Sequence, residues 1–244
     1  MKRKQKKQTS KEKKKDETWR KTKKVGSLIG DEEDIERRKQ LATAALNKME
    51  KVWIRGDRVS KKRKIKLYRA LVKSILTYNC GTWGVTKATE HKLDTFHRKQ
   101  LRRILGIRYP TVITNKQLYK KTGERPISET MRTARWRLLG HILRRKQDIP
   151  ANKALQFYFN DEIQGEKFKG ARRTTLPTVL ESDLQKITDK SDHNYCKRLT
   201  LKTADDLKAL TEVAQNRAAW KSLTGRVRKA GEADPSVDDS AKRP

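Results

Sequence analysis

The sequence is poor in the features that mark secreted and membrane proteins. It has only two cysteines, Cys80 and Cys196, and no apolar run reaches the roughly 18 residues of a membrane-spanning helix. No apolar segment follows the basic start as it would in a secretory signal. The basic segments also lack the aromatic anchors of a helix that lies in a membrane interface. We therefore expect an intracellular chain without a disulfide framework and with no membrane partner.

Acidic residues are scarce relative to basic ones. The 244 residues include 62 Lys and Arg against 29 Asp and Glu, which gives a formal net charge of +33. A surface with that excess repels itself unless polyanions are close, so RNA, DNA or an RNA–DNA hybrid is the expected partner. Hydrophobic residues make up 34% and charged residues 37% of the chain. This composition predicts one helical domain near the middle with poorly ordered ends.

Three segments are too polar to fold alone. Residues 1–24 contain thirteen Lys and Arg and three acids, in clusters such as KRKQKK and KEKKK, and should be disordered. Such clusters favour binding to a nuclear-import receptor or to nucleic acid, and a plainly solvated tail is the alternative. Residues 159–176 read as a basic linker and 231–244 as a disordered polar tail. We expect a nuclear protein.

The rest of the chain shows helical periodicity. Only 25–30 (Val-Gly-Ser-Leu-Ile-Gly) resembles a strand, and no partner strand is evident. A helical domain is expected over 31–158 and additional helices over 177–230, which together predict an all-α protein built as a small helical bundle.

Local sequence patterns predict where several helices begin and which face of one helix is buried. Asp31 heads a run of acids suited to the positive end of a helix dipole, and Ser60 is a plausible N-cap. Thr114 and Gln117 have the spacing of a capping box. Pro126 precedes the longest basic helix. Its expected core stripe is Ile127, Met131, Ala134, Leu138 and Ile142.

Arginines crowd the helices beside this expected core. Arg98 and Arg102 are four residues apart and should share a helix face. Guanidinium groups bind phosphate oxygens in bidentate geometry, so this face is a candidate phosphate contact, and a merely solvated basic face is the alternative. The candidate nucleic-acid-binding residues are Arg98, Arg102, Arg103, Arg108, Lys116, Arg132, Arg135, Arg137, Arg144 and Arg145.

Four sequence motifs, in a fixed order along the chain, resemble motifs of one known protein family. They are LYRALVKSILTYNCGTW at 67–83, LDTFHRKQLRRILGIRY at 93–109, ITN at 113–115 and RWRLLGHILRR at 135–145. Together they resemble the region after the polymerase palm in reverse transcriptases of LINE-type (non-LTR) retrotransposons. The similarity extends weakly to 24–53 and 170–187, so it covers roughly 24–187.

The resemblance implies a thumb-like helical module next to the end of a palm. It would make 25–30 a remnant of the last palm strand, without its partner strands. In the family this region lies against the template–primer duplex, which implies backbone contacts from the arginines of the matching segments.

The chemistry that a polymerase needs is missing from the sequence. Reverse transcriptases hold metal ions with paired aspartates in an aromatic-Ala-Asp-Asp hairpin of the palm. Here Thr203-Ala204-Asp205-Asp206 replaces the aromatic residue with Thr, reads as helix and comes after the thumb-like region. Asp238-Asp239 lies in the polar tail. We expect no catalytic residues and no polymerase activity from this chain alone.

Histidines and cysteines do not suggest a site either. His141 has no acid or cysteine near it in sequence and reads as a packed structural histidine. His193 and Cys196 supply too few ligands for zinc, which prefers four. We expect neither a metal nor a cofactor.

The resemblance, together with these absences, implies the function of a reverse transcriptase fragment without its palm active site. It would bind nucleic acid independently of sequence, and salt would weaken the binding steeply. The alternatives are a host-retained module for protein–protein interaction in the nucleus and a retroelement relic without function. A protein interface of apolar character would respond much less to salt.

Overall fold

The structure is a computed structural model that describes residues 18–54, 58–160, 174–188 and 199–230. These residues are mostly helical and include one two-stranded antiparallel sheet, which confirms the expected all-α class. They divide into two compact units, one up to Asn79 and one from Cys80. This division falls inside the single domain expected over 31–158.

Several sequence expectations concern residues outside the described ranges. They include residues 1–17 of the basic tail, most of the 159–176 linker and all of 231–244. His193, Cys196 and Asp238-Asp239 also lie outside them.

The first unit begins with a short hairpin. A 3-10 turn over Thr18–Lys21 precedes strands β1 (Lys23–Lys24) and β2 (Ser27–Leu28), which pair antiparallel. Val25 and Gly26 connect them with φ angles of 47° and 83°. Two positive φ values in a two-residue loop are typical of a type I′ turn. The strand-like segment therefore has a partner, and residues 18–24 of the expected disordered tail have defined secondary structure.

Helix α1 (Asp31–Lys48) fixes this hairpin. Its first turn carries four acids, as expected from the helix dipole. The Asp34 carboxylate accepts a hydrogen bond from the Leu28 N–H at 2.9 Å, and the Arg38 guanidinium donates to the Gly26 carbonyl at 2.6 Å. The Arg38 guanidinium also lies 4.3 Å from the centre of the Tyr78 ring. The turn and the second strand of the hairpin are thus bound to α1.

Two more helices belong to the described part of the first unit. They are α2 (Glu50–Ile54) and α3, which runs through Lys61–Tyr68, a π-helical turn at Arg69–Lys73 and Ser74–Leu76. The Ser60 side chain caps α3 by accepting from the Arg63 N–H, as predicted. Helix α1 packs against α3.

The second unit is a bundle of helices. It begins with a 3-10 turn at Cys80–Thr82, and its helices are α4 (Lys87–Leu105), α5 (Asn115–Thr122), α6 (Ile127–Leu143), α7 (Pro150–Asn160), α8 (Leu176–Thr188), α9 (Ala204–Gln215) and α10 (Arg217–Ala230). The predicted capping box of Thr114 and Gln117 begins α5.

The hydrophobic core of the second unit forms around α6. Trp136, Leu139 and Leu143 lie in one buried cluster with side chains of α8, α9 and α10. The region expected as additional helices over 177–230 thus shares a core with α6, and does not stand apart from it.

The core face of α6 differs from the predicted stripe. Ile127 and Met131 are buried, as expected, but Ala134, Leu138 and Ile142 are only partly buried. In the second half of α6, the side chains that meet the C-terminal helices are Trp136, Leu139 and Leu143, which follow the predicted positions by two, one and one residues.

Neighbouring leucines on α6 allow a test of this face. We expect Leu139→Ala to lower the free energy of unfolding by about 2–5 kcal/mol, because it leaves a cavity in the cluster. Leu138→Ala should cost clearly less, since Leu138 is only partly buried. Urea unfolding followed by circular dichroism would measure both, and equal losses would contradict the placement of the core face.

Candidate nucleic-acid interface

Arg132 and Arg135 of α6 point into the bundle. They are 4% and 1% exposed. The Asp183 carboxylate of α8 accepts hydrogen bonds from Arg132 Nε at 3.3 Å, Arg135 Nη1 at 3.0 Å and Trp136 Nε1 at 3.1 Å. A guanidinium held this way cannot reach a phosphate without leaving the core. These two arginines, proposed above as phosphate contacts, are therefore structural.

A second carboxylate borders the same pair of arginines. Glu90 Oε1 lies 3.7 Å from Arg135 Nη2, and Glu90 Oε2 lies 4.0 Å from Arg132 Nη2. Burial raises the pKa of Glu90 above its usual value, although both arginines oppose the rise. Burial also lowers the pKa of the nearby Lys186, and Arg132 adds to this effect. The cluster thus contains ionisable groups whose charged forms are costly to bury.

Arg98 is a third structural arginine among the predicted site residues. It is 6% exposed, and its Nη2 donates to the Thr95 hydroxyl at 2.9 Å on the same helix. Its neighbour one turn later, Arg102, is partly exposed. The two residues follow one another along α4, as predicted, but only Arg102 reaches the surface.

Three of the predicted residues come together in a groove between α6 and α10. Arg137 and Arg145 are exposed and Arg144 is partly exposed. The groove has a volume of about 740 Å³. Its lining residues are Thr133, Arg137, His141, Arg144 and Arg145 of the α6 side and Arg217, Trp220, Lys221, Thr224, Gly225 and Arg228 of α10. We call this feature the α6–α10 groove.

The close approach of α10 to α6 depends on Gly140. A Cβ atom at this position would lie 2.2 Å from Trp220 Nε1. Trp220 Nε1 donates to the Trp136 carbonyl at 3.1 Å, and the two indole rings lie 5.6 Å apart. The absence of a side chain at Gly140 therefore lets Trp220 enter the core and brings the basic side chains of α10 opposite those of α6.

Two further contacts fix the ends of the groove. The Asn216 side chain accepts hydrogen bonds from the Ala218 and Ala219 N–H groups and so caps α10. Arg144 Nη1 donates to the Ala214 carbonyl at 3.3 Å, which connects the end of α6 with α9.

The groove is strongly cationic. Its lining contains five arginines, one lysine and no carboxylate. An adjoining pocket adds the exposed Arg125 and the buried Glu129, and it shares Thr133, Arg137 and Arg228 with the groove. The Nε of Arg228 is buried and makes no hydrogen bond within the described residues. Such a surface suits a polyanion.

Sequence reasoning missed one whole side of this groove. Arg217, Lys221 and Arg228 were not among the predicted residues, although their spacings of four and seven place them on one helix face. His141, expected to be packed, is instead exposed and lines the groove, because the core face lies one residue away.

The remaining predicted residues lie near the end of α4 and the start of α5. Arg102, Arg108 and Lys116 line a pocket of about 450 Å³. We call it the 107–114 loop pocket, after the segment that joins the two helices. Arg103 is exposed in the last turn of α4 and does not line this pocket.

The Ala-Asp-Asp sequence at 204–206 caps a helix. Thr203 and Asp206 form a capping box at the start of α9. The segment is therefore helical, as predicted, and is not a hairpin. The hydrogen bond from the Lys202 N–H holds the pKa of Asp206 below its usual value. Among the described residues, no group of three His, Cys, Asp or Glu side chains is placed to hold a metal ion. No described helix is long and apolar enough to cross a membrane.

Comparisons with known proteins add no assignment. No protein-family model, no curated protein and no solved structure matches this chain. The basic α6–α10 groove and the sequence motifs at 67–145 are therefore the features that bear on function.

The contact between Gly140 and Trp220 can be tested with a pair of glycines. We expect Gly140→Ala to lower the free energy of unfolding by about 1–3 kcal/mol, because the added methyl group displaces Trp220. Gly225→Ala is the control, since a Cβ there meets nothing within 4 Å and alanine favours helix. It should be neutral or stabilising in denaturant unfolding. Similar losses in both variants would contradict the close approach.

The buried cluster predicts a pH dependence. A carboxyl group whose pKa is higher in the folded chain supports folding fully below its unfolded pKa, and this support is lost as pH rises through the folded pKa. We therefore expect Glu90→Gln, relative to the unchanged chain, to gain thermal stability between about pH 4 and pH 7. Thermal midpoints across that range would measure it. If the thermal midpoint of the variant instead drops further below that of the unchanged chain as pH rises, the attraction of Glu90 to the arginines outweighs its cost of burial.

Proposed function

We propose that this chain binds nucleic acid through its phosphate backbone in the α6–α10 groove. The observation that carries the proposal is the concentration of five arginines and one lysine in a groove without a carboxylate. Guanidinium groups bind phosphate oxygens in bidentate geometry, and the threonine hydroxyls of the lining can donate to the same oxygens.

The dimensions of the groove also fit a strand of phosphates. Thr133, on α6, and Arg144, the residue that caps the end of α6, are 11 residues apart, or about 16 Å at the helical rise. On α10, Arg217 and Arg228 span a similar length. Two basic rows of this length can contact several successive phosphates of one strand. Contacts of this kind carry no sequence information, so binding should be sequence-independent.

We further propose that the chain is a fragment of a LINE-type retrotransposon reverse transcriptase without the palm active site. The ordered sequence motifs support this, and one of them, RWRLLGHILRR, supplies the α6 side of the groove. Its partner would be RNA, DNA or an RNA–DNA hybrid. The proposal assigns no polymerase activity to this chain alone, because the one Ala-Asp-Asp sequence caps α9.

A nuclear location belongs to the same proposal. The basic clusters of residues 1–15 are suited to an import receptor or to added phosphate contacts. A chain that lacks residues 1–17 leaves the β1–β2 hairpin intact and so separates the contribution of these clusters from that of the groove.

The groove can be tested by removing three of its charges. We expect the combined substitution Arg137→Ala, Arg145→Ala and Arg228→Ala to weaken binding to duplex DNA, single-stranded RNA and an RNA–DNA hybrid by about tenfold or more. The slope of log affinity against log salt should become shallower by roughly one for each phosphate that the variant no longer binds. Fluorescence anisotropy across a salt series would measure both quantities.

A matched control removes the same charge elsewhere in the second unit. Lys99→Ala, Lys120→Ala and Lys153→Ala change three exposed lysines outside the groove. This control should retain most of the affinity. Equal weakening in both triple variants would mean that net charge, and not the groove, drives binding. If the unchanged chain binds no nucleic acid, or binds with little response to salt, the alternative of a protein-interaction module or a relic replaces the proposal.

A further inference from the structure

The 107–114 loop pocket begins where α4 ends. Gly106 adopts a φ of 68°, its N–H donates to the Arg103 carbonyl, and the Ile107 N–H donates to the Arg102 carbonyl at 2.9 Å. These two bonds form a Schellman motif, which gives the departing chain a defined direction. The loop then turns at once, since the Thr111 N–H donates to the Arg108 carbonyl at 2.9 Å.

This turn places an aromatic ring in solvent. Tyr109 occupies one of its two central positions and is 93% exposed. Val112, three residues further along the same loop, is 79% exposed. Both side chains line the pocket together with the three cations described above. An exposed ring beside an apolar side chain offers a flat surface on which another ring can stack.

The cationic side of the pocket is built into the fold. Arg102 Nη2 donates to the Asn115 side-chain oxygen at 2.8 Å and to the Ile113 carbonyl at 3.4 Å. It thereby connects the end of α4 to the end of the loop and the start of α5. Burial and the neighbouring Arg98 lower the pKa of Arg102. The pocket lining contains no carboxylate to balance Arg102, Arg108 and Lys116. An anion would relieve the repulsion among these charges.

We propose that the 107–114 loop pocket binds one unpaired nucleotide of a nucleic-acid strand, with the base on Tyr109 and the phosphate between Arg108 and Lys116. This inference rests on the proposed function and extends it from backbone binding to recognition of unpaired bases. Stacking on an aromatic side chain strengthens binding roughly 5- to 150-fold per base and tolerates every base.

Base pairing should exclude a nucleotide from this pocket. A base inside a duplex is already stacked on both faces, and it must leave the stack before Tyr109 can contact it. The α6–α10 groove needs only phosphates and makes no such distinction. The two sites together predict that the chain binds a single strand through both and a duplex through the groove alone.

The experiment uses the full chain and an oligothymidine strand with 2-aminopurine at its centre, because the fluorescence of this base falls when it stacks on a ring. Anisotropy of a dye-labelled strand and of a duplex of equal length gives the affinities. We expect Tyr109→Ala to abolish the quenching and to weaken single-strand binding by roughly 5- to 150-fold, with duplex binding unchanged. Tyr109→Phe keeps a ring and should keep both signals.

Controls separate this site from the groove. Phe157→Ala removes another exposed ring, on α7, and should change nothing. Tyr109 is exposed enough that its loss should leave the fold intact. If Tyr109→Ala leaves quenching and single-strand affinity unaltered while the groove variant loses duplex binding, the pocket proposal fails and the proposed function stands. If the unchanged chain binds neither probe, the proposed function fails first. Equal competition by free thymidine monophosphate would overturn the assignment to a strand.

Discussion

The Asp183 carboxylate receives three donors from α6, and the rest of the second unit is arranged around this contact. Two guanidinium groups in a core carry a large desolvation cost, which a carboxylate offsets only with favourable geometry. Asp183 provides it by accepting from Arg132, Arg135 and the Trp136 indole. Several guanidinium nitrogens of the pair still make no hydrogen bond within the described residues. The cluster therefore joins α6 to α8 at a desolvation cost that limits its net contribution to stability. It also decides which arginines remain available at the surface.

Helix α6 contributes both to the hydrophobic core, which needs apolar side chains, and to the groove, whose lining is basic. One face carries Trp136, Leu139 and Leu143 into the core, and the other carries Arg137 and His141 to the groove. Gly140 lies where both requirements meet, since it admits the Trp220 ring that brings α10 into place. A purely apolar helix could fill the core, and a purely basic one could bind phosphate. Only the alternation of the two allows a core contact and a charged groove within a few residues.

The sequence predicted local structure better than it predicted neighbours in space. Capping patterns at Ser60 and Thr114 and the acid-rich start at Asp31 depend on adjacent residues, and the helices begin there. The buried role of Arg135 depends on Asp183, 48 positions away, and nothing local distinguishes it from the exposed Arg137. The second half of the predicted core stripe on α6 was wrong by one or two residues for the same reason. The sequence of α10 shows a basic helical face, but the contacts that place this face opposite α6, among them that of Trp220 with Gly140, join distant residues.

The hydrogen bond from Trp220 to the Trp136 carbonyl joins residues 84 positions apart. During synthesis α6 therefore emerges long before the helix that completes its groove. Until α10 follows, the nascent chain presents the basic face of α6 without its opposite wall and leaves the Trp136 indole without its aromatic neighbour. Non-local contacts of this kind form late, because the intervening chain must first be ordered. The α6–α10 groove can therefore form only after the chain has emerged from the ribosome past Arg228.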